Sequence, residues 1–279
     1  MAYPVGPLLR PIRKYTVVVL TLAAAAALAG CEAPDLGLQK GANSVFSAFS
    51  GPSPSEAATL ALDRYSANNR YKGTLLLSTA SFAGEPVYMA LFRDNIDDED
   101  PGVRAVSARA VARHGSPEDA ALLIERLADS DVSVRIEAAR GLQRLHNPAA
   151  VKPLVDAINM EKEPEALVRF EAASALGQYP EPIVVEQLIA SLADPNLSVN
   201  RNSLASLRTL TGQDLGFDQK AWFEWYKATD APFAARGGFV YPVFSRDKRW
   251  WEYIPFVPPP PNEPASVPAG SPVSSRRSS

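Results

Sequence analysis

Arg109 and Arg113 form an i, i+4 pair, and Arg140 and Arg144 repeat it one segment later. On a helix each pair points one way. Stacked helices carrying them would present a basic ridge, suited to an acidic protein segment or an anionic glycan. Asp97-Asp98-Glu99-Asp100 concentrates carboxylates, but it lacks the spaced ligands and turning Gly of a calcium loop. Helix capping and a solvated turn account for it. His114 and His146 are the only two His, too few for a multi-His metal centre. Each ends an apolar helical stretch, where a satisfied imidazole or a helix-end cation is expected. All four Trp lie after residue 220. The adjacent Trp250 and Trp251 are candidates for an aromatic platform. No Gly-rich phosphate loop, Gly-x-Ser-x-Gly elbow or zinc motif occurs. No catalytic residue, metal ligand or cofactor is therefore assigned, and the chain is expected not to be an enzyme.

Composition narrows the classes further. The 279 residues hold 28 Lys+Arg against 31 Asp+Glu, a formal charge of −3. A nucleic-acid binder usually shows the opposite balance. Hydrophobic residues are 46% and charged residues 21%, as in a folded protein rather than a disordered one. One Cys precludes a disulfide framework within the chain.

That Cys has a telling position. Residues 1–30 hold three bases, Arg10, Arg13 and Lys14, and no acid. An uncharged run follows from Tyr15 to Ala29, shorter than the ~18–20 residues a spanning helix needs. This is the layout of a cleaved secretory signal. Leu28-Ala29-Gly30-Cys31 resembles the lipobox of bacterial lipoproteins. The resemblance implies a signal peptide over 1–30 and a Cys31 diacylated on sulfur as first mature residue. Such a covalent lipid would anchor the chain to a cell membrane or outer membrane, facing the periplasm or exterior. Residues 31–52, with Gly, Ser and Pro and few large side chains, read as a tether.

The elements that must position the Arg pairs come from an internal repeat. Val103-Arg104, Val134-Arg135, Val168-Arg169 and Val199-Asn200 each start a stripe at +4, +8 and +11, the period of one helix face. The +4 residue is small every time: Ser107, Ala138, Ala172 and Ser203. Before each Val stands an apolar i, i+4 pair: Phe92/Ile96, Leu123/Leu127, Leu154/Ile158 and Leu188/Leu192. Each unit is thus a helix A, a turn and a helix B. Ser116-Pro117, Asn147-Pro148 and Ser53-Pro54-Ser55-Glu56 supply helix starts. A degenerate first unit covers 53–83, with Arg70 near the matching position. The recurrent Arg104, Arg135 and Arg169 border the core stripe, where a charge is normally paired. They predict a ladder of Arg–acid contacts between adjacent units.

Asp131-Val132-Ser133-Val134-Arg135 with Ala138-Ala139, and Ala172-Ala173 with Leu176-Gly177, resemble the HEAT-like repeats of the phycobilisome-lyase type. The resemblance covers 53–212. It implies an all-α fold, a right-handed α-solenoid of about five helix pairs. Downstream, Leu210–Asp214 and Ala221-Trp222-Phe223-Glu224-Trp225-Tyr226 are similar to the closing segment of HEAT-repeat lipoproteins. Residues 213–256 read as a capping helix and an extended aromatic strap lying back along the array. Residues 257–279 read as a disordered Pro/Ser-rich tail.

These features lead to one functional expectation: a lipid-anchored extracytoplasmic HEAT-repeat scaffold or adaptor in the bacterial cell envelope. Its partners would be proteins with an acidic segment, and the membrane through its lipid, with no nucleic acid. The alternative is a cell-wall or carbohydrate-binding lipoprotein using Trp250 and Trp251. A bilin lyase shares the repeat type, but a lipoprotein signal is at odds with chromophore attachment in the cytoplasm.

Overall fold

A computed structural model describes residues 53–241, 247–253 and 265–272. The signal peptide, the tether and Cys31 lie outside these residues, as does most of the expected tail. Among the described residues the structure is helical, with isolated β-bridges only.

Consecutive helices pair: α1 (Pro54–Ala61) with α2 (Ala67–Ser78), α3 (Pro86–Asn95) with α4 (Pro101–His114), α5 (Ala120–Arg126) with α6 (Val132–Gly141), α7 (Val151–Ile158) with α8 (Ala166–Leu176), and α9 (Pro182–Ala190) with α10 (Leu197–Thr211). The second helix of each pair packs on the second helix of the next, from α2 through α10. This is the stacking of an α-solenoid, each unit burying its apolar face against its neighbours.

The expected caps are in place. Ser53 and Glu56 form a reciprocal capping box, with Pro54 at the first helical position. Asp100, Asp131 and Asn196 each accept a backbone N–H in the first turn of α4, α6 and α10. Pro117 and Pro148 open short 3-10 turns that lead into α5 and α7.

The core is the predicted stripe. Val103, Val134, Val168 and Val199 are fully buried, and so are the small +4 residues beside them. Helix A contributes Phe92, Leu123, Leu154 and Leu188. In the first pair the backbones come closest at Gly73. A Cβ there would lie 2.2 Å from the Ala61 nitrogen, so only Gly allows the approach.

The array is closed by α11 (Gln219–Ala228), capped by Asp218. Trp222 is fully buried, and its indole N–H donates to the Gly216 carbonyl at 2.8 Å. Trp225 meets it edge-on at 5.9 Å. Gln219 donates to the carbonyls of Ile189 and Ala190 at the end of α9. The chain leaves α10 through Gly212 at φ +70°, a left-handed C-terminal residue.

After the cap the chain runs back along the array. The Gly237 N–H donates to Thr209 O at the end of α10. The Phe239 ring lies near Gly177, at the end of α8. The Tyr241 ring sits 5.4 Å from the Arg144 guanidinium, past the end of α6. The tail departs from the expectation of disorder over 257–279. Within it, residues 265–272 are docked: Ser266 bridges Tyr241, and Ala269 pairs with Leu145. Composition alone did not reveal this, because the contacts use main-chain groups and small side chains rather than an apolar period.

Candidate interaction surface

Two ion-pair ladders run along the second helices. The first uses Arg70 in the first unit and the Arg that follows the Val in the next three. Arg70 donates through Nε and Nη2 to Asp98 at 2.7 and 2.9 Å. Arg104 grips Asp129 in the same two-point way at 2.8 Å. Arg135 grips Glu163 at 2.7 and 3.0 Å. Arg169 grips Asp194 at 2.7 and 3.2 Å. Each acid belongs to the turn of the next unit, so every rung joins two repeats. The remaining Nη1 donates to carbonyls of the Arg's own turn, such as Asp129 and Ser130 for Arg135. A planar five-donor guanidinium fits this fork, and Lys does not.

The accepting acids stand five residues before each Val: Asp98, Asp129, Glu163 and Asp194. That constant offset is a sequence signal overlooked beside the capping acids two residues later. Each also accepts the N–H of the residue two positions on, at 2.7–2.9 Å. The step from Val134 to Val168 is 34 residues against 31 on either side, yet the offset is kept and Glu163 still meets Arg135. The acidic run is likewise consumed internally. Asp98 and Glu99 bind Arg70, Asp97 binds Arg126, and Asp100 caps α4.

The second ladder holds the candidate partner-binding residues. Arg109 donates to Glu137 at 2.6 and 3.1 Å. Arg140 bridges Glu137 at 3.0 Å and Glu171 at 2.5 Å. Gln143 adds a 2.6 Å bond to Glu171. The two Glu side chains are 8–9% exposed, whereas Arg109 is 55% and Arg140 40% exposed. Buried carboxylates thus orient guanidinium groups that still reach solvent. Arg113 is exposed. Arg144 is half-buried beneath the Tyr241 ring of the strap, a cation–π contact. The ridge is therefore an alternating acid–base zipper with the strap over one end.

Both His serve the joints between units. The His114 Nε2 lies 2.8 Å from Ser78 O. The His146 Nδ1 lies 2.9 Å from the Gln178 side-chain oxygen, and its ring stacks on Tyr179 at 4.9 Å. The Tyr179 hydroxyl donates to Asn147 O at 3.0 Å, and burial pushes its phenol up to about 12. Among the described residues no group of three His, Cys, Asp or Glu could hold a metal ion. Trp250 is 77% exposed in a short 3-10 helix, Trp250–Tyr253, with Lys248 5.8 Å from the Tyr253 ring. The side chain of Trp251 lies outside the described residues.

Acid should loosen these joints. Hydrogen bonds from Arg93 hold the Asp119 carboxyl below the usual carboxylate range, against the opposing effect of burial. Burial would raise Asp129, but bonds from Arg104 and the Asp131 N–H outweigh it and leave it lowered. A lowered folded-state value means the unfolded chain binds protons first as pH falls. Their contribution is complete above the unfolded carboxylate value of about 4 and is lost as pH falls through the lower folded values. Urea midpoints should therefore hold from pH 7 to about 5 and drop below about 4, with a shallower drop in Asp119→Asn. An equal drop in wild type and variant would show that Asp119 plays no part.

A family model described as HEAT repeats matches residues 120–208. No curated protein matches the chain. Among solved structures, the chain is similar to an engineered protein at 19% identity, covering 55% of this chain and 77% of that one, with a TM-score of 0.43. It is also similar to the complex of CpcE and CpcF of phycocyanin lyase from Nostoc sp. PCC7120, at 20% identity, 63% and 82% coverage and a TM-score of 0.38. A designed armadillo repeat protein shares 13% identity, with 63% and 92% coverage and a TM-score of 0.46. At these scores the likenesses carry nothing about activity. Residues 120–208 are thus matched as HEAT repeats, and the fold of the described residues is an all-α solenoid.

Proposed function

We propose that this chain is a lipid-anchored, extracytoplasmic interaction scaffold or adaptor of the bacterial cell envelope, without catalytic activity. The observation that carries the binding role is the zipper: Arg109 and Arg140 are fixed by buried Glu137 and Glu171 yet remain half exposed. An array in which each repeat touches only its neighbours offers a long surface for a partner. Guanidinium groups held in place lose less freedom on binding a carboxylate than free side chains would. The address rests on Leu28-Ala29-Gly30-Cys31. A second reading, binding of cell-wall glycan, is supported by the exposure of Trp250.

The test begins with the anchor. Wild-type chain expressed in a bacterium should fractionate with membranes, and Cys31→Ser should move to the soluble fraction. Retention of Cys31→Ser in the membrane would remove the lipid anchor from the reading. Crosslinking of the native protein in its membrane then identifies what it holds.

A further inference from the structure

The docked stretch 265–272 marks a binding site that the helical array offers and this chain fills itself. Beyond α6 the main chain at Arg144–His146 is no longer helical; the Arg144 and Leu145 N–H groups turn back to Gly141 O, but Arg144 O and the His146 N–H need partners from elsewhere. Ala269 supplies them: its N–H donates to Arg144 O and its carbonyl accepts from His146 N–H, both at 2.8 Å. The result is a one-residue parallel β-bridge at Leu145, with Pro268 buried beside it. Ser266 extends the contact by accepting the Tyr241 N–H at 3.1 Å. Gly270 follows at φ +83°, where a Cβ would lie 2.8 Å from the Pro117 side chain. Both the dihedral and the space demand Gly. The site therefore reads an extended Pro–small–Gly segment through main-chain bonds and one tight glycine slot.

The geometry points to a peptide-recognition site at Pro117, Leu145 and His146, held closed by residues 265–272 acting as an internal ligand. Its outside occupant is an extended segment of a partner protein carrying the same Pro–small–Gly pattern, which adds to the exposed main chain as a strand adds to an edge. The internal ligand is made for exchange. It holds on by few bonds, and Ser266, Val267, Ala269 and Gly270 all stay solvent-exposed. Because it belongs to the same chain, its effective concentration is roughly millimolar, so a partner must compete with it. This inference rests on the scaffold reading only for the existence of a partner. The test below uses neither partner nor membrane, so its failure is separate from a failure of anchoring.

The probe is a fluorescent peptide with the sequence of residues 262–275, titrated against the full chain. Gly270→Val, which cannot adopt the docked conformation, should release the internal segment. The peptide should then bind the variant at least about tenfold more tightly than wild type. Ala269→Pro in the protein, which removes the donor to Arg144 O, is a second releasing variant and should behave alike. A peptide carrying Ala269→Pro should bind neither protein. Hydrogen exchange at the His146 amide should be slow in wild type and fast in both variants. Equal peptide affinity for wild type and variants, absence of binding to either variant, or a His146 amide unprotected in wild type overturns the proposal.

Discussion

Arg169→Ala lowers the stability of the array by about 3–5 kcal/mol, the cost of stranding one member of a buried ion pair. The Arg169 side chain is 4% exposed and that of Asp194 3%. Removing the guanidinium leaves the Asp194 carboxylate with the Asn196 N–H at 2.7 Å but without its cation. It also strips the donor from the carbonyls of Glu163 and Pro164, bonded at 2.9 and 2.7 Å. Arg169→Lys should recover little, since an ammonium cannot serve both Asp194 oxygens and two carbonyls at once. The double change Arg169→Met, Asp194→Leu should recover most of the loss, because no charge is then buried alone. The exposed pair Lys220–Glu224, at 3.8 Å, provides the contrast: its removal should cost less than about 0.5 kcal/mol. Urea unfolding of the four variants reads these differences. A loss under about 1 kcal/mol in Arg169→Ala would mean that the rung contributes no more than a surface pair.

Trp222→Ala costs a similar amount, about 3–5 kcal/mol, by a different route. The indole is fully buried at the end of the array and bonded to Gly216. Truncation opens a cavity under α11 and leaves the Gly216 carbonyl without its donor. Repeat arrays are stabilised by nearest-neighbour terms, so the damage should be local. Hydrogen exchange should accelerate in α9, α10 and α11 while α4 and α6 stay protected. Uniform acceleration along the whole array would contradict the view of α11 as a cap for one open end.

The repeat period was readable because the buried faces are strictly patterned. Val103, Val134, Val168 and Val199 recur with a small residue one turn later, and the helices packed there need that space. The Arg ladder was also legible, since a cation beside an apolar stripe calls for a partner. Which acid it takes was less visible. Asp129 and Asp131 are both plausible by composition, and only the fold of the turn directs one to Arg104 and the other to the start of α6. The zipper was half legible: the Arg pairs stood out, whereas the burial of Glu137 and Glu171 depends on neighbouring helices. The docked tail was hidden, because Ser266-Val267-Pro268-Ala269-Gly270 has the composition of a linker. Its order comes from main-chain hydrogen bonds, which leave no mark on side-chain pattern.

The last unit carries Asn200 where the others carry Arg. Its amide donates to Leu192 O at 2.7 Å, eight residues back, whereas the Nη1 groups of Arg104, Arg135 and Arg169 reach the carbonyls five and six residues back. It reaches no further acid, because α11 follows instead of another repeat. Its side-chain oxygen is buried without a hydrogen bond. The ladder therefore has a direction and a terminator. Every interior rung offers a cation forward, and the final one offers none. A further repeat grafted after α10 would bring its turn acid against Asn200 and bury that charge unanswered. The length of the array is in this sense written at one residue, and changing Asn200 to Arg is the first edit that lengthening would require.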